Sequence, residues 1–123
     1  MPLYTIRTQD GVLSGAAKSA LAAEITEFHC RMAGLDKAFV KIVFDDVPLG
    51  GGFVGGVAAE AVILTVLIRD GRSTDYKREM LQGLWTMLQH ATAATAEQML
   101  VAIEEAPASQ AMEMGQIMPE LDR

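Results

Sequence analysis

The sequence predicts an α+β domain built from tandem β-α-β repeats, forming a four-stranded mixed sheet with two helices on one face. Three observations predict it. The chain repeats itself loosely: Gln9-Asp10-Gly11 recurs as Arg69-Asp70-Gly71, and Phe44-Asp45-Asp46-Val47-Pro48 recurs as Ile103-Glu104-Glu105-Ala106-Pro107. The offsets are sixty and fifty-nine residues, the signature of a duplicated supersecondary unit. Each half then reads as strand, turn, helix, strand. Such a unit closes by a right-handed crossover, so each half supplies two parallel strands. The expected organisation is a single domain with halves at 2–48 and 61–107. A glycine-rich connection over 49–60 joins them, and a short segment, 108–123, follows.

In the first half, Leu3 to Thr8 alternates as an extended strand does. Asp10-Gly11 breaks it, and Ser14 is placed to cap the helix that follows. That helix carries Leu21, Ile25, Phe28 and Met32 on one apolar face. Gly34 ends it, and Phe39 to Phe44 reads as the second strand.

Val62 to Ile68 opens the second half as a nearly continuous apolar run, the pattern of a strand buried on both faces. Asp70-Gly71 turns the chain, and Ser73 or Thr74 caps a helix bearing Met80, Leu84, Leu88 and Ala91. Met99 to Ile103 is the fourth main strand. Between the halves, five glycines fall within Gly50 to Gly56. With no Gly-Lys-Ser/Thr ending and no helix directly after, this is a hairpin rather than a phosphate loop. Both helices on one side leave the other sheet face bare. The runs Val40 to Phe44 and Val62 to Ile68 are too apolar for that face to meet water, so a homo-oligomer is expected.

Composition narrows the function classes. Half of the 123 residues are hydrophobic, which argues against disorder. Sixteen acidic against ten basic residues give a net charge of −6 with no basic run, which argues against nucleic acid or an anionic membrane as partner. Cys30 is the one cysteine, so no disulfide framework exists, and a cytoplasmic location is expected. Ala61 to Ile68 is too short to span a bilayer, and no signal pattern opens the chain.

Chemistry concentrates at a few positions. Pro2 stands directly behind Met1. Without Met1, the N-terminus is a secondary amine, whose pKa near 8 is lowered by burial and by neighbouring cations. Such an amine exchanges protons near neutrality. Arg69 and Arg72 flank the start of the second helix, where amide N–H groups already favour an anion. Two guanidiniums there make a carboxylate clamp, the plain alternative being solvated arginines neutralised by Asp70 and Asp75. His29 lies at the border of the first helix's buried face, and His90 near the end of the second helix suits its dipole. Glu113 falls in Ala108 to Met114, a segment able to form one or two helical turns before Gly115. No His, Cys and carboxylate cluster has metal-ligand spacing, and neither metal nor cofactor is expected.

Together these residues resemble the tautomerase superfamily. Tyr4, Gln9-Asp10, Ile25-Thr26 with His29, Phe53-Val54-Gly55-Gly56-Val57, Arg69-Asp70-Gly71-Arg72-Ser73 and Pro107-Ala108 look like the cis-3-chloroacrylic acid dehalogenase-like family. Glu113, six residues after Pro107, falls where that family places a catalytic glutamate. The resemblance implies a homotrimer whose three sheets form a central barrel, as in the MIF-like fold. It implies Pro2 as general base or acid, Arg69 and Arg72 holding a substrate carboxylate, and His29 assisting in binding and polarisation. One departure stands out: the family's fourth-strand tyrosine, which shares water activation with the glutamate, is replaced by Ala102.

The leading expectation is an isomerase, a keto–enol tautomerase acting on a 2-oxo or 2-hydroxy-unsaturated carboxylic acid. The first alternative is a lyase: a cis-3-haloacrylate dehalogenase or hydratase, or a malonate semialdehyde decarboxylase-like enzyme. The second is a catalytically weak trimeric homologue. Both enzymatic readings require that Met1 be removed.

Overall fold

The computed structural model describes residues 1–121. Four strands make the main sheet: β1 (Leu3–Gln9), β2 (Lys41–Val47), β5 (Val62–Arg69) and β6 (Met99–Ala106). Two helices, α1 (Gly15–Ala33) and α2 (Thr74–Thr92), connect β1 to β2 and β5 to β6. Two short hairpins complete the chain, β3 (Phe53–Val54) with β4 (Val57–Ala58), and β7 (Met112–Glu113) with β8 (Gln116–Ile117).

The sheet order is β2-β1-β5-β6. The outer pairs are parallel and the central pair, β1 with β5, is antiparallel, with Thr5 opposite Thr65. This is the mixed sheet expected of two β-α-β units related by a local two-fold axis.

The turns explain why the sequence breaks where it does. Gly11 and Gly71 take φ of 91° and 108°, a region costly for any side chain. Next to them, Asp10 N–H and Asp70 N–H extend the parallel pairings by donating to Val47 O and Ala106 O, at 2.8 and 2.9 Å. Ser14 and Ser73 each cap their helix, accepting from Ala17 N and Tyr76 N. Gly34 closes α1 in the left-handed conformation, and Ala93 does the same for α2.

The core lies between the sheet and the helices. Tyr4 and Ile6 from β1 and Val62, Leu64, Val66 and Ile68 from β5 meet Leu21 and Ile25 of α1 and Met80, Leu84 and Leu88 of α2. The helices pack where Phe28 lies against Gly83, since any Cβ there would stand 2.5 Å from the ring. Of the expected α1 face, Phe28 and Met32 are only partly buried, and His29 takes the buried position instead.

Three elements differ from the sequence expectation. Phe39 belongs to a 3-10 turn, Lys37–Phe39, and strand β2 begins only at Lys41. Strand β5 is buried on its inner face alone, every second side chain being partly exposed. The segment around Glu113 is not helical beyond one 3-10 turn, Ala108–Gln110. Met114 and Gly115, both at positive φ, instead close the β7–β8 hairpin.

That hairpin reveals how far the duplication runs. Strands β1 and β5, helices α1 and α2, and hairpin strands β3 and β7 begin fifty-nine residues apart. Segment 108–121 is thus the second unit's copy of the glycine-rich hairpin, with Glu113 at the position of Val54.

Across the bare face of the sheet, Leu3, Val43 and Leu100 are exposed, the latter two by half. Among the described residues, no helix is long and apolar enough to cross a membrane.

Candidate active site

The head of β1 is buried. Pro2 is almost wholly covered, and its carbonyl accepts from Lys41 N–H at 3.1 Å, where the parallel β1–β2 ladder begins. Met1 lies over it, 8% exposed, and its α-ammonium pairs with the Glu113 carboxylate. Burial lowers the pKa of this amine to about 6, and the charges of Lys41 and Arg69 add to the shift. Glu113 pulls the other way, but only one of its oxygens is engaged. Its Oε2 is buried with no partner among the described residues.

Around Met1 the chain gathers His29 from α1, Ile68 and Arg69 from the end of β5, and Arg72 and Tyr76 from the start of α2. These side chains line one cleft. Strand and helix placement explains the gathering: the βα turn after β5 opens beside the N-terminal end of β1, its antiparallel neighbour. Arg69 also donates from a guanidinium nitrogen to Pro119 O at 2.6 Å, which draws the C-terminal segment across the cleft. The Arg72 guanidinium carbon stacks 4.6 Å above the Tyr76 ring, a cation–π arrangement that fixes its plane.

His29 is 3% exposed, and burial lowers its pKa to about 4, with Arg72 and the N-terminus adding to the shift. It is therefore a neutral imidazole. Its Nδ1 lies 2.7 Å from the hydroxyl of the fully buried Tyr4, and the two rings meet edge to face. Burial also raises the Tyr4 pKa well beyond its usual value, so the phenol keeps its proton.

The five residues singled out in the sequence thus converge, with one qualification. His29, Arg69 and Arg72 line one cleft, and Glu113 reaches it through the amine of Met1. Pro2 lies beneath Met1 rather than in the open. Sequence reasoning missed the supporting residues. Tyr4 carried only a family resemblance, although its place two residues beyond Pro2 on an alternating strand put it on the same inward face. Lys41 gave no signal, because its nearness to the amine depends on the β1–β2 register, which pairs Leu3 with Lys41. Ala102 pairs with Thr65 on the outward face, opposite the side that holds His29 and Tyr4. Among the described residues, no three His, Cys, Asp or Glu groups could share a metal ion.

The fold defines a class, the tautomerase fold, and the candidate cleft lies at the N-terminus of its first strand. The crystal structure of native Ps01740 superposes with a TM-score of 0.87 at 32% identity, covering 90% of this chain and 99% of that one. N1, a member of the cis-3-chloroacrylic acid dehalogenase family, superposes at 0.89 with 24% identity, covering 96% and 84%. Native fused 4-OT superposes at 0.83 with 18% identity, covering 94% of each chain. No curated protein matches the chain in sequence. The family is settled by the whole length of the sequence: residues 1–123 match the tautomerase family described as "Putative oxalocrotonate tautomerase enzyme", and the chain belongs to it.

Proposed function

We propose that this chain, once Met1 is removed, is a keto–enol tautomerase of small 2-oxo or 2-hydroxy-unsaturated carboxylic acids, with the Pro2 amine as its proton carrier. The observation that carries the reading is the setting of the N-terminal amine. The Met1 amine is buried beside Lys41 and Arg69, and burial with those two charges lowers its pKa to about 6. A Pro2 amine left by removal of Met1 meets the same cations, which lower its pKa too. An amine of that kind is neutral, and so a base, at physiological pH.

The roles follow from the chemistry of each group. Arg69 and Arg72 hold the carboxylate, Arg72 already oriented by Tyr76. With Tyr4 as donor to Nδ1 of His29, the ring proton sits on Nε2, from where it can be donated to the substrate's 2-oxo oxygen. Pro2 takes a proton from the carbon beside the carbonyl, and the C–H electron pair forms the carbon–carbon double bond. Charge moves onto the oxygen, where His29 and the guanidiniums stabilise it. The prolinium that results lies beside Glu113, and the proton is returned to oxygen or to carbon. No cofactor is needed.

A homotrimer is part of the proposal. The outward face bearing Leu3, Val43 and Leu100 needs a partner, and other fused 4-OTs with this fold are symmetric (Q0) or asymmetric (F6) trimers.

One observation favours a second reading. The unpartnered Oε2 of Glu113 is placed to accept from a water molecule, as a hydratase or dehalogenase requires. Ala102 supplies no hydroxyl to share that task. Proton NMR in D2O separates the two readings. Tautomerase activity appears as enzyme-dependent exchange of the hydrogens beside the carbonyl of 2-oxo acids such as phenylpyruvate. Lyase activity appears as consumption of 3-haloacrylates, alkynoates or malonate semialdehyde. If none of these acids exchanges or is consumed, both readings fall.

A further inference from the structure

Met1 lies where two clefts meet. One is polar, lined by His29, Arg69, Arg72 and Tyr76. The other is mainly apolar, running between the loop and 3-10 turn after α1 (Leu35, Phe39) and the C-terminal hairpin (Ile117, Met118), with Glu113 and Arg69 at its inner end. Both clefts share Met1, Leu35 and Arg69. Removing Met1 therefore joins them into one groove that runs from the guanidiniums, past the Pro2 nitrogen, to Ile117 and Met118.

We propose that this groove defines the substrate class: a carboxylic acid whose reacting centre carries an apolar tail, the tail lying in the cleft between Phe39 and Ile117. The inference rests on the tautomerase reading for the identity of the reacting centre, but not for the tail. Met1 itself supplies the chemical argument. A thioether chain ending in an amine is held here at 8% exposure, its amine on Glu113. The cleft thus accepts an unbranched apolar group beside a hydrogen-bond donor.

The groove discriminates by polarity at each end. Two guanidiniums select the acid, whereas beyond them the wall is mainly Leu35, Phe39, Ile117 and Met118, and a second carboxylate meets only the Gln116 amide and the like-charged Glu113. Monocarboxylates with alkyl, alkenyl or aryl tails are therefore preferred over short dicarboxylates. Retained Met1 fills the junction, so in the unprocessed chain no single ligand spans both clefts.

Binding without turnover tests the proposal. Protein trimmed to Pro2, verified by intact mass, is titrated calorimetrically with straight-chain monocarboxylates from propanoate to heptanoate. Affinity should rise about fourfold per methylene, and protein retaining Met1 should show no such rise. Ile117→Asp on the exposed hairpin should abolish the gain with length, and Phe39→Ala should halve it. Affinity that stays flat along the series, or a gain untouched by both substitutions, overturns the tail assignment. Because no reaction is read, a rising series without any enolisation condemns the proposed activity and not the groove. Enolisation with a flat series condemns the groove alone.

Discussion

The hydroxyl of Tyr4 lies 2.7 Å from Nδ1 of His29, with both side chains buried between β1 and α1. This bond does two things. It satisfies a ring nitrogen that burial would otherwise leave unpaired, and with the phenol as donor it fixes the tautomer carrying Nε2–H. Tyr4→Phe removes the donor and leaves Nδ1 orphaned, at a cost of about 1–3 kcal/mol in stability. Scrambling the tautomer should also lower kcat about tenfold with little change in KM, because His29 acts on charge that develops at the oxygen. Steady-state kinetics with chemical denaturation checks both. Loss of stability with unchanged kcat would assign Tyr4 a packing role only.

The same burial makes His29 a pH-dependent element of the fold. Its folded pKa of about 4 is below the ordinary 6.5, so between those values the unfolded chain binds the extra proton. This contribution is complete above pH 6.5 and lost as pH falls toward 4, amounting to about 3 kcal/mol. Urea midpoints measured from pH 7 down to 4 should fall accordingly, and His29→Gln should flatten the dependence.

A neutral amine is the active form of the base, so kcat/KM should rise with pH through the amine's pKa and then level off. The midpoint is expected nearer 6 than 8. Lys41→Ala keeps the backbone bond to Pro2 but deletes one of the depressing charges, and it should move the midpoint toward 8. A profile that ignores Lys41 would show that this lysine does not reach the Pro2 amine.

Much of this arrangement was legible in the sequence, for identifiable reasons. The repeated Asp-Gly turns and the Ser14 and Ser73 caps are local signals, and they marked strand and helix boundaries correctly. Arg69 and Arg72 were legible because they sit beside such a boundary. What stayed hidden depends on register and long-range packing. Lys41 approaches the amine only because β1 and β2 pair in parallel from Leu3 and Lys41. Likewise, Glu113 meets Met1 only because Met114 and Gly115 turn the chain back as a hairpin. A helical spacing in Ala108 to Met114 suggested otherwise, since so short a segment carries no decisive period. The glycine-rich hairpin offered the better guide, because the duplication places Val54 and Glu113 at equivalent positions of their two hairpins.

That turn makes its own prediction. Gly115 sits at φ 75°, where a Cβ is strained though nothing crowds it. Gly115→Val should cost about 1–2 kcal/mol locally and displace Glu113 from the amine. Activity should fall several-fold while the global unfolding midpoint barely moves, because the hairpin packs outside the main core. An unchanged rate would mean that Glu113 does not act on the amine.

The central claim is that the Pro2 nitrogen carries the proton. The most direct measurement compares trimmed wild-type protein with Pro2→Ala, both confirmed free of Met1 by intact mass, for the rate of phenylpyruvate enolisation. The Ala amine is primary and flexible where the proline amine is secondary and fixed by its ring. The rate is expected to fall by about two orders of magnitude or more while carboxylate binding persists. Enolisation by Pro2→Ala at the wild-type rate would contradict the account.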